Sequence, residues 1–352
     1  MTGRNEPVAS LADGAEAAAR RDVAAWRAQP ASLPRLALGA FEDAPLGQVL
    51  GRRLLLALRV PPRALAPLRR LRRSSVDDVI ASYCYWRAVR RHLGSRDAWR
   101  RLTRGTTILM YHAIGASGER ASRFVVPVDR FERQMRWLAR NRTVIGFDEL
   151  VALRRAHRLP PAGAVVITFD DAFVDVRSLA APILERLRLP ATVFVVTARA
   201  GGRWPDHEPP ALAGRAVLSW SEVDDLLGRG FGIGSQSRSH PDLRSVPTAE
   251  RIDETAGSRS DIDRALARRA DVFAYPHGKW DDGVLEAVER AGYAAACTVH
   301  EGRNGAATAD LALRRTEVTG TLSLLRFVVA VELGAPDALA RVAGALARRT
   351  SA

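Results

Sequence analysis

Two adjacent aspartates, Asp170 and Asp171, close the stretch VVITFDD. Their charges repel, and they follow directly on a run of apolar residues of the kind a buried strand needs. A solvated surface turn tolerates such a pair, whereas the end of a buried strand needs a chemical reason for it. Further along, GSQSRSHPDL sets Gln236 and His240 four residues apart, between Gly234 and Pro241. FAYPHGKW places Tyr275, Pro276 and His277 after a third apolar run, and ILMYHAIG places His112 after a fourth. Carboxylates and imidazoles move protons and ligate metal ions. A glutamine offers only a neutral amide.

Those residues need elements to hold them. From residue 105 the chain alternates: TTILMYHAI reads as a strand, 129–140 as a helix, TVIGF as a short strand, and ELVALRRAH as a helix capped by Asp148. AVVITF, ATVFVV, FGIGS, VFAYP and AAACTV read as strands, and LRRTEV as a last one. Helices are expected over 176–188, 248–269 and 281–291, and after SWSE, where Ser219 and Glu222 can form a capping box. Repeated strand–helix units with short apolar strands imply an α/β fold whose parallel sheet curls into a closed or nearly closed barrel. In such barrels the chemistry gathers where strands end. His112, Asp170, Asp171, Gln236, His240, Pro276 and His277 all fall there, on one rim.

The blocks ILMYHAIG, FERQMRWL, VITFDDAF, LPATVFVV, SWSEVDDL, GSQSRSHPDL and FAYPHGKWDD stand in this order between about residues 105 and 318. Together they resemble the polysaccharide deacetylase family, the NodB-homology group of carbohydrate esterases. The resemblance implies a distorted (β/α) barrel that removes acetyl groups from N-acetylated sugars with a divalent metal, usually zinc, with cobalt or manganese as alternatives. By resemblance, Asp170 is the base that activates water and Asp171 a metal ligand. His240 matches the second of two ligand histidines, and Gln236 stands in place of the first. The backbone amide of His277 would face the developing oxyanion.

Where the sequence departs from the family's pattern, three outcomes are open at Gln236. It ligates a harder metal through its oxygen, His112 substitutes for it, or the metal site is lost and the barrel is a carbohydrate-binding pseudoenzyme. Ala172 replaces the usual glycine, which is tolerable if the local φ is negative. Ala274 replaces an arginine found in one branch. No block supplying an acid histidine is visible near LRRTEV, where His300 and His277 are the nearby candidates. His112, Tyr275, Pro276 and Trp220 are candidate substrate contacts. Core packing is the default for Trp204, Trp220 and Trp280, while the loop GGRWPDHEPP is long enough to reach a sugar. Its Asp206 and His207 are expected to be solvated.

The rest of the chain bounds the setting. Its 352 residues carry a formal charge of +14, almost all from arginine, since Lys279 is the one lysine. That charge favours anionic surfaces without choosing among them, and no motif for specific nucleic-acid binding is present. Two distant cysteines, Cys84 and Cys297, suggest neither a disulfide framework nor a zinc ribbon. We divide the chain into a basic helical region (1–103), the barrel (104–332) and a helical tail (333–352). Within 46–73, Leu50, Leu54 and Leu58 form a stripe with Arg52, Arg53 and Arg59 off it, a pattern suited to peripheral membrane contact or to packing on the barrel. No signal peptide or spanning segment is evident, so the expected location is cytoplasmic, at the inner face of the membrane. The expected partner is an N-acetylated glycan or its lipid-linked precursor. The stretch from Ser74 to Trp99 faintly resembles the tail of bacterial glycosyltransferases.

Overall fold

The computed structural model describes residues 8–71, 74–205, 209–338 and 340. Asp206 and His207 therefore lie outside the described residues, as does most of the expected C-terminal tail.

Four helices precede the first strand: α1 (Val8–Ala28), α2 (Leu46–Leu58), α3 (Ser74–Leu93) and α4 (Arg96–Thr103). They enclose a core of their own, with Val23, Phe41, Val49, Ile80, Trp86 and Val89 buried. The edge of Trp86 meets Phe41 at 4.7 Å. Arg52 departs from the expected outward display. It is buried, its guanidinium lies 5.0 Å from the Phe41 ring, and it donates to the Phe41 carbonyl at 3.2 Å. At the end of the aliphatic stripe, Leu54 and Leu58 are 60% and 65% exposed.

Seven parallel strands then build one sheet in the order β8-β7-β6-β5-β4-β1-β9. They are β1 (Thr107–Tyr111), β4 (Val165–Phe169), β5 (Thr192–Val195), β6 (Gly232–Ser235), β7 (Val272–Ala274), β8 (Ala295–Cys297) and β9 (Thr316–Glu317). TTILMYHAI, read as one strand, divides at His112 into β1 and the short β2 (Ala113–Gly115), which pairs with β3 (Val125–Pro127), a strand the sequence did not suggest. TVIGF contributes only a bridge from Val144 to Val165. β1 and β4 are buried throughout, which is why they read as unbroken apolar runs.

The sheet's two edges are joined by one short segment. Leu313 donates to Ala296 on the β8 side and its carbonyl accepts from Thr298, while two residues past Thr316 the Val318 amide donates to Met110 of β1. Residues 313–318 therefore span the gap between the edge strands, and Arg315 sits in their middle.

The covering helices are α5 (Val128–Asn141), α6 (Phe147–Arg155), α7 (Ala181–Arg186), α8 (Trp220–Gly228), α9 (Thr248–Ile252), α10 (Ser258–Leu266), α11 (Asp282–Arg290) and α12 (Leu324–Leu333). The Ser219–Glu222 capping box forms at α8. Asp148 does not cap α6: Gly146 holds the N-cap position, and Asp148 lies in the first turn facing Arg268. Two of the long helices expected from sequence are interrupted by π turns, at Val176–Ala180 and Asp253–Gly257.

Candidate active site

One cavity opens at the C-terminal ends of the strands, with about 240 Å³ of internal space. His112, Asp170, Asp171, Gln236, His240, Tyr275 and His277 all line it, together with Trp204, Arg315 and Glu317. Trp220 does not. It is the first residue of α8 and packs against the core, and Trp204 supplies the aromatic wall instead. Pro276 is buried beneath its neighbours and does not reach the lining.

Asp170 is 2% exposed and would be costly to keep ionised alone. Arg315, itself fully buried, answers it with a two-pronged pair, Nη1 to Oδ1 at 2.6 Å and Nη2 to Oδ2 at 2.8 Å. The same arginine is steadied by a bond from Nε to the Thr298 carbonyl at 3.0 Å. The strand-joining segment thus supplies the cation that pairs with Asp170. Sequence reasoning missed Arg315, because nothing distinguishes it within LRRTEV.

The loop after β6 is fixed from below. Glu254, buried in the π turn, accepts from the amides of Arg238 at 2.8 Å and Ser239 at 2.9 Å, and from the Ser239 hydroxyl at 2.6 Å. This holds Ser237 and His240 in left-handed conformations, φ 66° and 69°. Asp171, Ala172 and His277 are left-handed too, at 68°, 53° and 55°. The negative φ that would make alanine tolerable at 172 is therefore not found. A non-glycine residue there costs roughly 1–2 kcal/mol, and such strain clusters at functional sites.

Gln236 is held from two sides. Its Oε1 accepts from the Asp171 amide at 2.9 Å, and an N–H donor requires an oxygen opposite it. The NH₂ group must then point the other way, and it lies 3.2 Å from His240 Nε2. Burial first, then the fields of His277, Arg199 and His112, hold His240 well below the ordinary histidine range, so its ring is neutral. Nε2 accepts from Gln236, which leaves the proton on Nδ1, an atom with no hydrogen-bond partner. Asp171 Oδ1 stands 3.9 Å from the same Nε2.

This arrangement does not fit the three-ligand metal centre implied by the resemblance. Gln236 turns a donor, not its oxygen, toward the ligand nitrogen. Among the described residues no group of three histidine, cysteine or carboxylate side chains could hold an ion, so His112 does not complete the set.

The remaining walls are specific. The edges of Trp204 and His277 face His240, at 5.5 and 4.5 Å. Arg199 lies over the Trp204 ring at 4.2 Å. Tyr275 gives its hydroxyl to the Leu311 carbonyl at 2.9 Å, so it offers a ligand only its ring. The His277 amide donates to no backbone carbonyl among the described residues. Burial lowers the pKa of His112 despite nearby Asp170 and Glu317, and its ring meets Phe124 at 5.1 Å. His300 does not line the cavity.

The sequence profile of the family described as "Polysaccharide deacetylase" matches residues 157–296, which contain both aspartates, Gln236, His240 and His277. Over residues 157–296 the barrel matches a polysaccharide deacetylase domain. YxkH of Bacillus subtilis (strain 168) is 26% identical over 230 residues, covering 64% of this chain and 75% of YxkH. Poly-beta-1,6-N-acetyl-D-glucosamine N-deacetylase of Staphylococcus aureus (strain MSSA476) is 21% identical, covering 50% of this chain and 62% of its own length. Among solved structures, the deacetylase PplD of Streptococcus pyogenes superposes with a TM-score of 0.57 at 24% identity, covering 65% of this chain and 98% of PplD. IcaB of Ammonifex degensii gives 0.56 at 21%, covering 65% of this chain and 97% of IcaB. At these identities the superpositions show a shared fold. The family match covers β4 to β8, while β1, β9 and the four N-terminal helices lie outside the matched segment.

Proposed function

We propose that the deacetylase domain removes acetyl groups from N-acetylated sugars of a polysaccharide or its precursor, by attack of water on the amide. The observation that carries this reading is the Asp170–Arg315 pair at the floor of the cavity. A buried carboxylate held by a two-pronged guanidinium beside open space suits a proton acceptor for water. The His277 amide, uncommitted to any backbone carbonyl, suits an oxyanion donor. Neutral His240, with its proton on Nδ1, and the Trp204 and Tyr275 rings would orient the sugar and keep bulk water out. No step is assigned to a metal, because the side chains present do not form its site.

One observation favours a second reading. The Gln236 amide caps the nitrogen that a metal would use, and this suits a pocket that recognises the acetylated sugar without turning it over. Titrating the protein with N-acetylglucosamine oligomers and with their deacetylated forms tests recognition, which both readings require. Acetate release then separates them: release above an Asp170→Asn blank supports hydrolysis, whereas binding without release supports recognition alone.

The exposed Leu54 and Leu58, next to Arg59, support peripheral membrane contact through residues 46–73 and hence a lipid-linked glycan as substrate. No described helix is long and apolar enough to cross a membrane.

A further inference from the structure

At the other end of the barrel, where the strands begin, lies a second cavity of about 340 Å³. Its charged lining is Arg104, Arg140, Arg142, Arg303 and a single carboxylate, Glu332. Arg104 precedes β1, Arg142 follows α5, and Gly163 comes just before β4, so these residues mark strand entrances. The deacetylase cavity lies at strand exits, and a five-residue strand separates the two by roughly 17 Å.

The cations here are under-compensated. Glu332 pairs with Arg142. Among the described residues no carboxylate pairs with Arg104 or Arg140, both exposed at the cavity. Arg303 is 5% exposed, and its Nε is buried without a hydrogen-bond partner. Its terminal nitrogens are held in place, Nη1 by the Glu332 carbonyl at 3.1 Å and Nη2 by the Gly105 carbonyl. The nearest acid, Glu42, is 3.7 Å away and already bound to Arg53 at 2.5 Å. Burial, together with Arg53, Arg104 and Arg142, pushes the Arg303 pKa down to about 10. Four arginines with one carboxylate line this cavity, an excess of positive charge that a dianion would relieve.

We propose that this cavity binds a phosphate-bearing ligand, a free phosphate or diphosphate compound or the headgroup of a phospholipid. Guanidinium forks match the tetrahedral oxygens of phosphate, and a phosphate monoester brings close to two charges and three acceptor oxygens. A singly charged sugar carboxylate would leave most of the excess uncompensated.

The test titrates the full chain with pyrophosphate and inorganic phosphate by calorimetry. In parallel it measures sedimentation with phosphatidylcholine vesicles with and without phosphatidic acid. Arg104→Gln/Arg140→Gln is compared with a charge-matched control, Arg96→Gln/Arg290→Gln. Both substituted pairs are solvent-facing, so folding is not at risk, and Arg303 is left in place. The expected result is saturable binding of pyrophosphate or of the acidic vesicles, at least tenfold weaker in Arg104→Gln/Arg140→Gln and unchanged in the control. Pyrophosphate binding identifies a soluble ligand, and vesicle binding alone identifies a headgroup. Absence of both, or an equal loss in the two double variants, overturns the proposal.

Discussion

At Asp170 the decisive interaction is a buried bidentate ion pair whose halves depend on each other. Removing one partner of such a pair strands the other charge, at a cost of about 3–5 kcal/mol. Arg315→Ala should therefore lower the unfolding free energy by that order. Arg315→Ala/Asp170→Ala should be less destabilised than the sum of the single changes, measured by urea denaturation. Additive losses would show that the pair does not act as a unit. Gln236 makes a second prediction. With its amide donating to His240, the native protein should hold zinc weakly, and Gln236→His should tighten zinc binding by at least tenfold by supplying a third nitrogen or carboxylate ligand. Dialysis followed by metal analysis reads this out, and equal zinc content in the two proteins would contradict it. Asp170, Asp171, His240 and His277 were legible because each ends an apolar run within a dense motif. Arg315 was not, because it lies 145 residues from its partner in a chain rich in arginine. The direction of the Gln236 amide was equally hidden, since a backbone amide from another loop decides it.

Among the elements, the loop bearing Trp204 depends on Asp175, which accepts from the Ile114 amide at 2.9 Å and from Arg215 at 2.9 Å. Arg215 in turn bonds Ala211 at 3.0 Å, and its own carbonyl accepts from the Trp204 amide at 2.8 Å. Burial raises the Asp175 pKa to about 6, against the opposing pull of the Ile114 amide and Arg215. A folded pKa above the unfolded value means that the folded state holds the proton more tightly. This contribution is complete below about pH 4 and is lost as pH rises through 6. Relative to Asp175→Asn, the native protein should therefore lose on the order of 2–3 kcal/mol between pH 4.5 and 7.5. Chemical denaturation at both pH values checks this, and a pH-independent difference would refute it. The long strands were readable because both of their faces are buried. The three-residue β3 was not, since so short a segment shows no period. The capping box already placed Trp220 at the start of a helix, but which tryptophan reaches the cavity depends on packing that motif spacing does not show.

For the whole molecule, the N-terminal helices are joined to the barrel through Glu42. It bonds Arg53 and the Gly105 amide at 3.2 Å and lies near Arg303. Its side chain is almost wholly buried, so Glu42→Ala should destabilise the protein by about 3–5 kcal/mol through the uncompensated Arg303, as a fall in melting temperature. An unchanged melting temperature would mean that the two parts are stabilised independently. The helical character of this region was legible. The inward turn of Arg52 was not, because hydrophobic patterning does not foresee an arginine packed against Phe41 and Trp86. The most direct test of the account is acetate release from N-acetylglucosamine oligomers by the native protein and by Asp170→Asn. We predict release by the native protein that Asp170→Asn abolishes. Equal acetate from the two proteins would contradict deacetylation and leave a sugar-recognising barrel.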